Sequence, residues 1–414
     1  MNHTIQEILE FIEEHDVKFI RLAFCDLLGN QKNISVMPRQ LPRIFEEGIL
    51  FDGSAIAGFG RIEESDLLLM PDSSTFDILP WRPQSGSVIR FFCSVHYPDQ
   101  TPLEVDCRSL LKQRLAKVRQ EGYQVLCGTE CEFYLFKTDD QGRCTWIPHD
   151  QGGYFDMAPL DKGEDIRRDI CLTLEEMGIE PESSHHEQGP GQHEVDFQYR
   201  DGLTACDQLI TFKWAVQTIS ELHGLYASFL PKPIEFASGS GLHINLSLSQ
   251  NGKNSFQFDQ PELLKHFIAG ILAHSKEMAL FLNPDSNSYQ RLGEAKAPKY
   301  ISWSHSNRTT LVRVPKVEDH LVRCEVRNSD PLCNPYLAVN LLVAAGMDGI
   351  KNKLELMDEC TDNLEIKQSA LDTLPKTLNE AITIAKNSEF IKQTLPSPLI
   401  DYYVESRTQL LRKQ

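Results

Sequence analysis

The strongest constraint on the fold is a set of strand-like segments whose polar faces carry charged side chains in place of ordinary solvent-facing residues. In YQVLCGTECEFYLF, Glu130 and Glu132 lie two positions apart, so both carboxylates project from one face of a strand with apolar surroundings. The segment HHEQGPGQHEVDF adds Glu187 before a Gly-Pro-Gly turn and Glu194 after it. These segments predict a sheet with an acidic face.

Two further segments alternate strictly between apolar and polar residues. GSGLHINLSL and VRCEVRNSD each place three polar or charged side chains on one face and apolar side chains on the other. The polar sets are His243, Asn245 and Ser247 in the first segment, and Arg323, Glu325 and Arg327 in the second.

A strand face of this kind can simply meet water, but solvent-facing strands usually carry Thr, Lys, Ser and Gln. Here the four faces together hold five glutamates and one histidine, and packed carboxylates repel one another unless cations compensate them. Carboxylate oxygens suit Mg²⁺ or Mn²⁺, and these six side chains suffice for two ions with three protein ligands each. We therefore expect a two-metal site for phosphoryl transfer.

Basic residues follow in YQRLGEAKAPKYISWSHSNRTTLVRVP, where Arg291, Arg308 and Arg313 join Arg323 and Arg327. Guanidinium groups bind carboxylates and phosphates through paired hydrogen bonds. The arginines therefore favour an anionic substrate next to the acidic faces.

Composition limits the other possibilities. A length of 414 residues predicts two domains, and a net charge of −18 argues against nucleic-acid or anionic-membrane partners. No apolar run approaches the length of a membrane span, and the acidic N-terminal segment does not resemble an export signal, so a cytoplasmic location is expected. The eleven cysteines include no Cys-x-x-Cys pair and are interpreted as reduced core residues.

Apolar periodicity predicts a protein of mixed helices and strands. The strand-rich pattern of the first hundred residues gives way near residue 103 to one of helices and strands, which predicts a domain boundary there and two domains, 1–102 and 103–414. The predicted helices cover residues 4–15, 107–121, 163–178, 203–225, 258–281, 334–350 and 375–412.

Taken in order, these motifs resemble the glutamine synthetase family nearly from end to end. The shared motifs are FDGSAIAGF with RIEESDLLLMPD, GTECEF, HHEQGPGQHE, LPKP before GSGLHINLS, NSYQRL, the NR and RVP pair, RCEVRNSDPLCNPYLA and GMDGIKNK. The resemblance implies an α+β fold, with a small N-terminal β-grasp domain and a large catalytic domain built on a curved antiparallel sheet flanked by helices. It also implies stacked hexameric rings, usually a dodecamer, with active sites shared between neighbouring subunits.

The resemblance also assigns roles to individual residues. It implies one metal on Glu132, Glu187 and Glu194, and a second on Glu130, His243 and Glu325. It places ATP against Ser247 and Arg323, with its phosphates near Arg308 and Arg313. Glutamate is expected on Arg291, Arg327 and Gly239, and the amine beside Tyr154 and the neighbouring subunit's counterpart of Asp52.

The implied reaction is phosphorylation of the glutamate γ-carboxylate by ATP, followed by attack of ammonia on the acyl phosphate. One departure concerns the nucleophile, because the family's flap reads Glu-Ala-Pro and this chain has Lys296-Ala297-Pro298. Three alternatives follow. The first is glutamine synthetase with the flap role moved to Glu294, the second is a ligase that joins glutamate to another amine, and the third is a ring-forming, ATP-binding scaffold with little turnover. Three smaller departures are Ala55 in the DGSA loop, Ser238 before the GSG loop, and Glu365 where the family can carry a regulatory tyrosine.

Overall fold

The computed structural model describes residues 4–60, 65–82, 86–257, 261–318, 321–366 and 370–413. The RIEE portion of one family motif and the start of the helix predicted at 258–281 lie outside these ranges. In the described part of the chain, no helix is both long and apolar enough to cross a membrane.

The N-terminal part is a mixed sheet with two helices. Its elements are α1 (Ile5–Glu14), β1 (Phe19–Cys25), β2 (Gln31–Val36), α2 (Leu41–Glu47), β3 (Ile49–Asp52), β4 (Asp66–Pro71), β5 (Asp77–Ile78) and β6 (Val88–His96). The sheet order is β2-β1-β6-β4-β3, with β5 also paired to β6. Strands β1 and β6 run parallel, while the other pairs are antiparallel.

The rest of the chain forms a larger sheet flanked by helices. Its first half contains α3 (Cys107–Gln120), β7 (Gln124–Thr138), β8 (Cys144–Pro148), α4 (Glu164–Glu176), β9 (Pro181–His186), β10 (Gln192–Phe197), β11 (Arg200–Asp201), α5 (Gly202–Leu222), β12 (Leu225–Ser228) and β13 (Leu242–Gln250). Its second half contains β14 (Lys253–Asn254), α6 (Glu262–Ala273), α7 (Ser275–Leu282), α8 (Ser286–Arg291), β15 (Trp303–Ser304), β16 (Val312–Arg313), β17 (Cys324–Val326), α9 (Pro335–Asn352), α10 (Leu378–Asn387), α11 (Glu389–Thr394) and α12 (Ser397–Lys413).

The long strand β7 organises this second sheet. It pairs with β8, β10, β11, β12 and β13, and the main strand order is β15-β16-β17-β13-β7-β10-β9. The pairs are antiparallel, as expected, except for a short parallel contact between β15 and β16. The α+β class is thus confirmed, with a small N-terminal mixed sheet and a larger, mostly antiparallel sheet flanked by helices. The boundary near residue 103 stays a prediction.

Several predicted helices are shorter or divided. The helix expected at 258–281 is interrupted at His274, which ends α6 and begins α7. The helix expected at 375–412 is three helices. Ser388 ends α10 and caps α11 through a 3.0 Å hydrogen bond from the Ile391 amide, and a second break separates Thr394, the end of α11, from Ser397, the start of α12. Apolar periodicity continues across these three breaks, so it could not show them. The short helices α2 and α8 were not predicted.

A buried ion-pair network joins the two parts of the chain. The Arg108 side chain at the start of α3 is 3% exposed and lies 2.8 Å from Asp207 of α5 and 3.2 Å from Asp72 of the N-terminal part. The Tyr336 hydroxyl donates to Asp207 over 2.7 Å. One guanidinium therefore links the β-grasp sheet, α3 and α5.

Replacing Arg108 with Met should lower the free energy of unfolding by about 3–5 kcal/mol, because it leaves buried carboxylates without their cation. Denaturant unfolding monitored by circular dichroism would measure the loss. Lys112→Met is the matched control, since Lys112 is 59% exposed and lies 3.7 Å from the same Asp72, and it should change stability by less than about 1 kcal/mol. Equal effects of the two substitutions would contradict the role given to Arg108.

Candidate active site

Strand register brings the acidic side chains together. Glu194 of β10 lies opposite Glu132 of β7, and Asp196 lies opposite Glu130. On the other side of β7, His243 of β13 lies opposite Glu130 as well. Directly opposed residues in antiparallel strands have their side chains about 5 Å apart on the same face. The acidic face predicted from separate segments is therefore one continuous surface.

One group on this face gathers around Glu130. The Glu130 carboxylate contacts His243 Nδ1 at 3.0 Å and accepts a hydrogen bond from the Asn245 amide at 2.9 Å. Glu325 of β17 lies 3.7 Å from the same histidine nitrogen. Glu130, His243 and Glu325 can each offer one ligand atom within 4.8 Å of the others. This is the set that the resemblance assigns to one metal.

A second group gathers around Glu194. His185, Glu187 and Glu194 offer ligand atoms within 4.8 Å, as do Glu130, Glu194 and Asp196. Sequence reasoning named neither His185 nor Asp196, although each lies two positions from a predicted ligand, which is the signal that could have identified them.

Glu132, expected in this second set, lies on the same face but is oriented by protein donors. Its carboxylate accepts hydrogen bonds from the Gln192 amide at 3.0 Å and from the Gly241 backbone at 2.8 Å. The carboxylate is partly buried, and its removal from water, followed by the nearby Glu187 charge, raises the pKa of Glu132 despite the opposing charge of His243.

The electrostatics of the face differ from one carboxylate to the next. Burial, and then the charges of Glu132 and Asp196, raise the pKa of Glu194 well above its usual value. Burial also acts on Glu130, but the His243 and Asn245 contacts outweigh it and lower the pKa of Glu130 to about 2. Uncompensated buried carboxylates are costly, and divalent cations are their common partners in proteins. The donor set therefore fits hard divalent metals.

Arginines border the acidic face. Arg313 and Arg327 both form ion pairs with Glu325, whose side chain is fully buried. Arg291 is 3% exposed and donates to the backbone carbonyls of Arg327, Asn328 and Ser329. A Cβ atom at Gly239 would lie 2.8 Å from the Arg291 side chain and 2.5 Å from the Pro231 carbonyl, so this loop needs glycine to pack against the arginine.

Both sets of charges line one cavity of about 590 Å³. The predicted site residues that line it are Glu130, Glu132, Tyr154, Glu187, Glu194, Gly239, His243, Arg291, Glu294, Lys296, Arg308, Arg313 and Arg327. Ser247 and Arg323 instead line an adjacent cavity of about 350 Å³ with Tyr199, Phe197 and Val317. Glu130 and Asp196 line both cavities, so the two meet at the acidic face.

Asp52 is placed elsewhere. It ends β3 in the N-terminal sheet and is not among the described residues that line either cavity. Its exposed carboxylate accepts hydrogen bonds from the Ser54 amide at 2.8 Å and hydroxyl at 2.7 Å, and these contacts hold its pKa below the usual value.

The segment from Gly293 to Pro298, here called the flap, closes one side of the larger cavity. The Lys296 ammonium lies 5.7 Å from the centre of the Tyr154 ring, and the Glu365 carboxylate accepts a hydrogen bond from the Lys296 backbone amide. The Glu294 carboxylate lies 2.7 Å from the ammonium of Lys232, which also donates to the Ala237 carbonyl. Sequence reasoning did not identify Lys232 as a partner of the flap.

A buried network supports the loop that carries Glu187. His186 contacts the Asp150 carboxylate at 2.9 Å with one ring nitrogen and the Glu187 carbonyl at 2.7 Å with the other. Both partners are acceptors, so this geometry requires a doubly protonated imidazole. Asp161 and His193 complete a four-residue cluster, but Arg167 already contacts both of them. The cluster is therefore an internal ion-pair network that orients Glu187.

Taken together, the acidic sheet face, the arginines around it and the adjoining second cavity define a class of protein: an enzyme that moves a phosphoryl group with the help of divalent cations.

Comparison with known proteins identifies the family. Residues 16–98 match the family described as the glutamine synthetase β-grasp domain, and residues 104–413 match its catalytic domain. A glutamine synthetase of Clostridium saccharobutylicum is 46% identical over 98% of this chain and 94% of its own length. One from Methanosarcina mazei is 45% identical over 97% of this chain and 92% of its own length. A solved structure of a GmaS/ADP complex has a TM-score of 0.90 and 28% identity over 100% of this chain and 96% of its own. The chain belongs to the glutamine synthetase family.

Replacing Glu132 with Gln should abolish phosphoryl transfer, because it removes a charge from the acidic face while keeping the shape of the side chain. Phosphate release with ATP, glutamate and Mn²⁺ would measure activity, and calorimetric titration with Mn²⁺ should show weaker or fewer sites. Glu176→Gln, on the exposed end of α4, is the matched control and should behave as the unaltered protein. Full activity of Glu132→Gln would exclude Glu132 from the metal site.

Proposed function

We propose that this protein is an ATP-dependent ligase that forms the γ-amide of glutamate from glutamate and ammonia through a γ-glutamyl phosphate. The observation that carries the proposal is the junction of the two cavities at Glu130 and Asp196. The larger cavity offers several arginines for anions, and the smaller one has a mixed apolar and polar lining. A nucleotide in the smaller cavity would therefore direct its phosphates into the larger one. The family relationship supports the same reaction.

The nucleotide side of the site is assigned to four residues. Ser247 and Arg323 hold ATP in the smaller cavity, where Arg323 is already positioned by a 3.0 Å hydrogen bond to the Asn245 side chain. Arg308 and Arg313 line the larger cavity and bind the phosphates. Charge on the transferring group is then stabilised by guanidinium groups in place before the reaction.

The glutamate side uses Arg291, Arg327 and the Gly239 backbone. Arg327 is held by a 3.1 Å hydrogen bond to the Arg308 carbonyl, and Arg291 is fixed by three carbonyls, so both guanidiniums are oriented without substrate. Glutamate bound there lies beside the acidic face, where its γ-carboxylate can meet the phosphate of ATP.

Two divalent cations, Mg²⁺ or Mn²⁺, held by Glu132, Glu187 and Glu194 and by Glu130, His243 and Glu325, would supply positive charge that offsets the charge of the phosphates. The chain itself fixes these carboxylates through Gln192, Asn245 and the His186 network.

The amine side involves Tyr154 and the Asp52 of a neighbouring subunit, within a dodecamer of two stacked hexameric rings. The exposed position of Asp52 at the end of β3, away from the cavities of its own chain, supports this arrangement. In this proposal the β-grasp domain spans residues 1–102 and the catalytic domain 103–414.

A second candidate, a ligase that uses an amine other than ammonia, is favoured by the flap. Lys296 lies over Tyr154 at the proposed amine site, and Glu294, the carboxylate that could replace the family's flap glutamate, is paired with Lys232. Two cations about 4 Å apart repel by about 4 kcal/mol at an effective dielectric constant of about 20. Lys296 therefore disfavours ammonium at this position.

Phosphate release with ATP, glutamate and Mg²⁺ or Mn²⁺ separates the candidates when ammonium, methylamine, ethanolamine, putrescine or no amine is added. The highest specificity constant with ammonium supports glutamine synthesis and excludes the second candidate. A higher value with another amine supports the second candidate over the first. Tight ATP binding without turnover in any of these mixtures would contradict both, and would favour a ring-forming scaffold.

Replacing Lys296 with Glu should raise ammonium-dependent glutamine formation, because it exchanges a repelling charge for an attracting one at the amine site. The measurement is the specificity constant for ammonium, determined from glutamine formed. Lys299→Glu, at the exposed position directly after the flap, makes the same charge change and should leave that constant unchanged. An unchanged or lower value for Lys296→Glu would mean that Lys296 does not restrict ammonium.

A further inference from the structure

A cavity of about 460 Å³ lies between the β-grasp sheet and the catalytic domain, away from the acidic face. Strand β1 and the turn and strand that follow it form one wall, and α5 with the segment from Tyr226 to Leu230 forms the other. Nothing in the proposed reaction uses this space.

The lining of this interdomain cavity is cationic. Arg21, Arg82, Arg90 and Lys213 all line it, and none of the described lining residues is acidic. This concentration of positive charge occurs in a chain with a net charge of −18. Of the four cations, Arg90 has a carboxylate partner, Asp77, at 2.7 Å, and Lys213 donates to the Pro331 carbonyl at 2.7 Å.

Several polar atoms at the cavity are buried without a partner among the described residues. They are Nε of Arg21, Nε of Arg90 and Oε1 of Gln31. Arg90 is 4% exposed, and its other nitrogens already bind Asp77 and Thr211. An unsatisfied buried donor costs about 1–3 kcal/mol, more when it is charged. Of these three atoms, the two arginine Nε–H groups are donors, and they are available to a ligand that accepts hydrogen bonds.

Arg21 and Arg82 are the two of these four cations that contact neither a carboxylate nor a backbone carbonyl among the described residues. Arg21 contacts Asn33 only weakly, at 3.3 Å, and its guanidinium lies 5.8 Å from the Trp214 ring. Burial, and then the charge of Arg82, lower the pKa of Arg21. Two like charges in one cavity repel, and the attraction of each to an anion bound between them would offset this repulsion.

We propose that the interdomain cavity binds a small anion with at least two negative charges, a dicarboxylate or a phosphate, through Arg21, Arg82 and Lys213. Both anion types present oxygens that guanidinium forks bind in pairs. Trp214 and Ile210 in the same lining provide apolar contact for a carbon chain, if one is present.

The cavity also has a physical connection to the proposed active site. Strand β12, which lines it, pairs with β7, the strand that carries Glu130 and Glu132. Leu230 lines the cavity, and the next residue, Pro231, accepts a 2.8 Å hydrogen bond from Ser240 in the glycine loop. Lys232 then contacts the flap through Glu294. A change in activity on anion binding rests on the proposed function, whereas the binding itself does not.

Calorimetric titration of the full-length protein with inorganic phosphate and with succinate tests the proposal. At least one of the two should bind, and Arg82→Ala should weaken that binding about tenfold or more, the equivalent of one lost charge-assisted hydrogen bond. Arg82 is exposed, so this variant should keep its fold. Arg39→Ala, which removes an exposed arginine outside the cavity, is the matched control and should bind like the unaltered protein.

The two probes identify the ligand class. Binding of phosphate alone indicates a phosphate-bearing ligand, and binding of succinate alone indicates a dicarboxylate. Because both anions can also enter the active site, Arg308→Ala provides a second comparison and should retain the Arg82-dependent binding. Failure of both anions to bind, or equal binding by Arg82→Ala and the unaltered protein, would overturn the proposal. If the unaltered protein releases no phosphate with ATP, glutamate and any of the amines, the proposed function is overturned and the anion-binding proposal is not affected.

Discussion

Repulsion between carboxylates on adjacent central strands of the larger sheet is the constraint on which the rest of this structure depends. The register of β7 places Glu132 opposite Glu194 and Glu130 opposite Asp196, on strands whose other face belongs to the core. Such a surface is unfavourable unless cations and oriented donors surround it. The histidines, the amides of Gln192 and Asn245 and the neighbouring arginines meet that requirement in part. Their positions follow from the need to hold repelling groups close together.

The sequence was most informative where periodicity and charge coincided. Two-residue alternation identified the acidic faces because a strand places every second side chain on the same side. It could not show which strands are neighbours, so Asp196 was missed until the register set it against Glu130. Helix breaks at His274 and Ser388 were missed because the apolar spacing continues through both, and at Ser388 a local side-chain cap begins the next helix. The Lys232–Glu294 contact joins residues 62 positions apart and leaves no local pattern.

The flap shows how a family site can be altered at one corner while its charged framework remains. Lys296 has a backbone φ of +67° and Ala295 one of +45°, both in the region that L-residues seldom occupy. Glu365 holds the Lys296 amide, and Lys232 holds Glu294, so contacts at both ends stabilise this conformation. Lys232 also donates to the Ala237 carbonyl, two residues before Gly239. Lys232 thus connects the flap to the segment that precedes Gly239.

The Arg108 network has a consequence beyond the stability of one subunit. It fixes the β-grasp sheet, and with it the strand that ends in Asp52, relative to the catalytic domain of the same chain. If Asp52 serves the active site of the next subunit, a substitution that breaks the Arg108 network in one chain impairs an active site in another chain. In a ring assembled from intact and damaged chains, lost activity would then appear in subunits whose own sequence is unaltered. In such a mixed ring the altered chains would lower the activity of intact ones, as a dominant inhibitor does. Two chains with different defects, one in the Arg108 network and one in the catalytic domain, would form some intact active sites when assembled together.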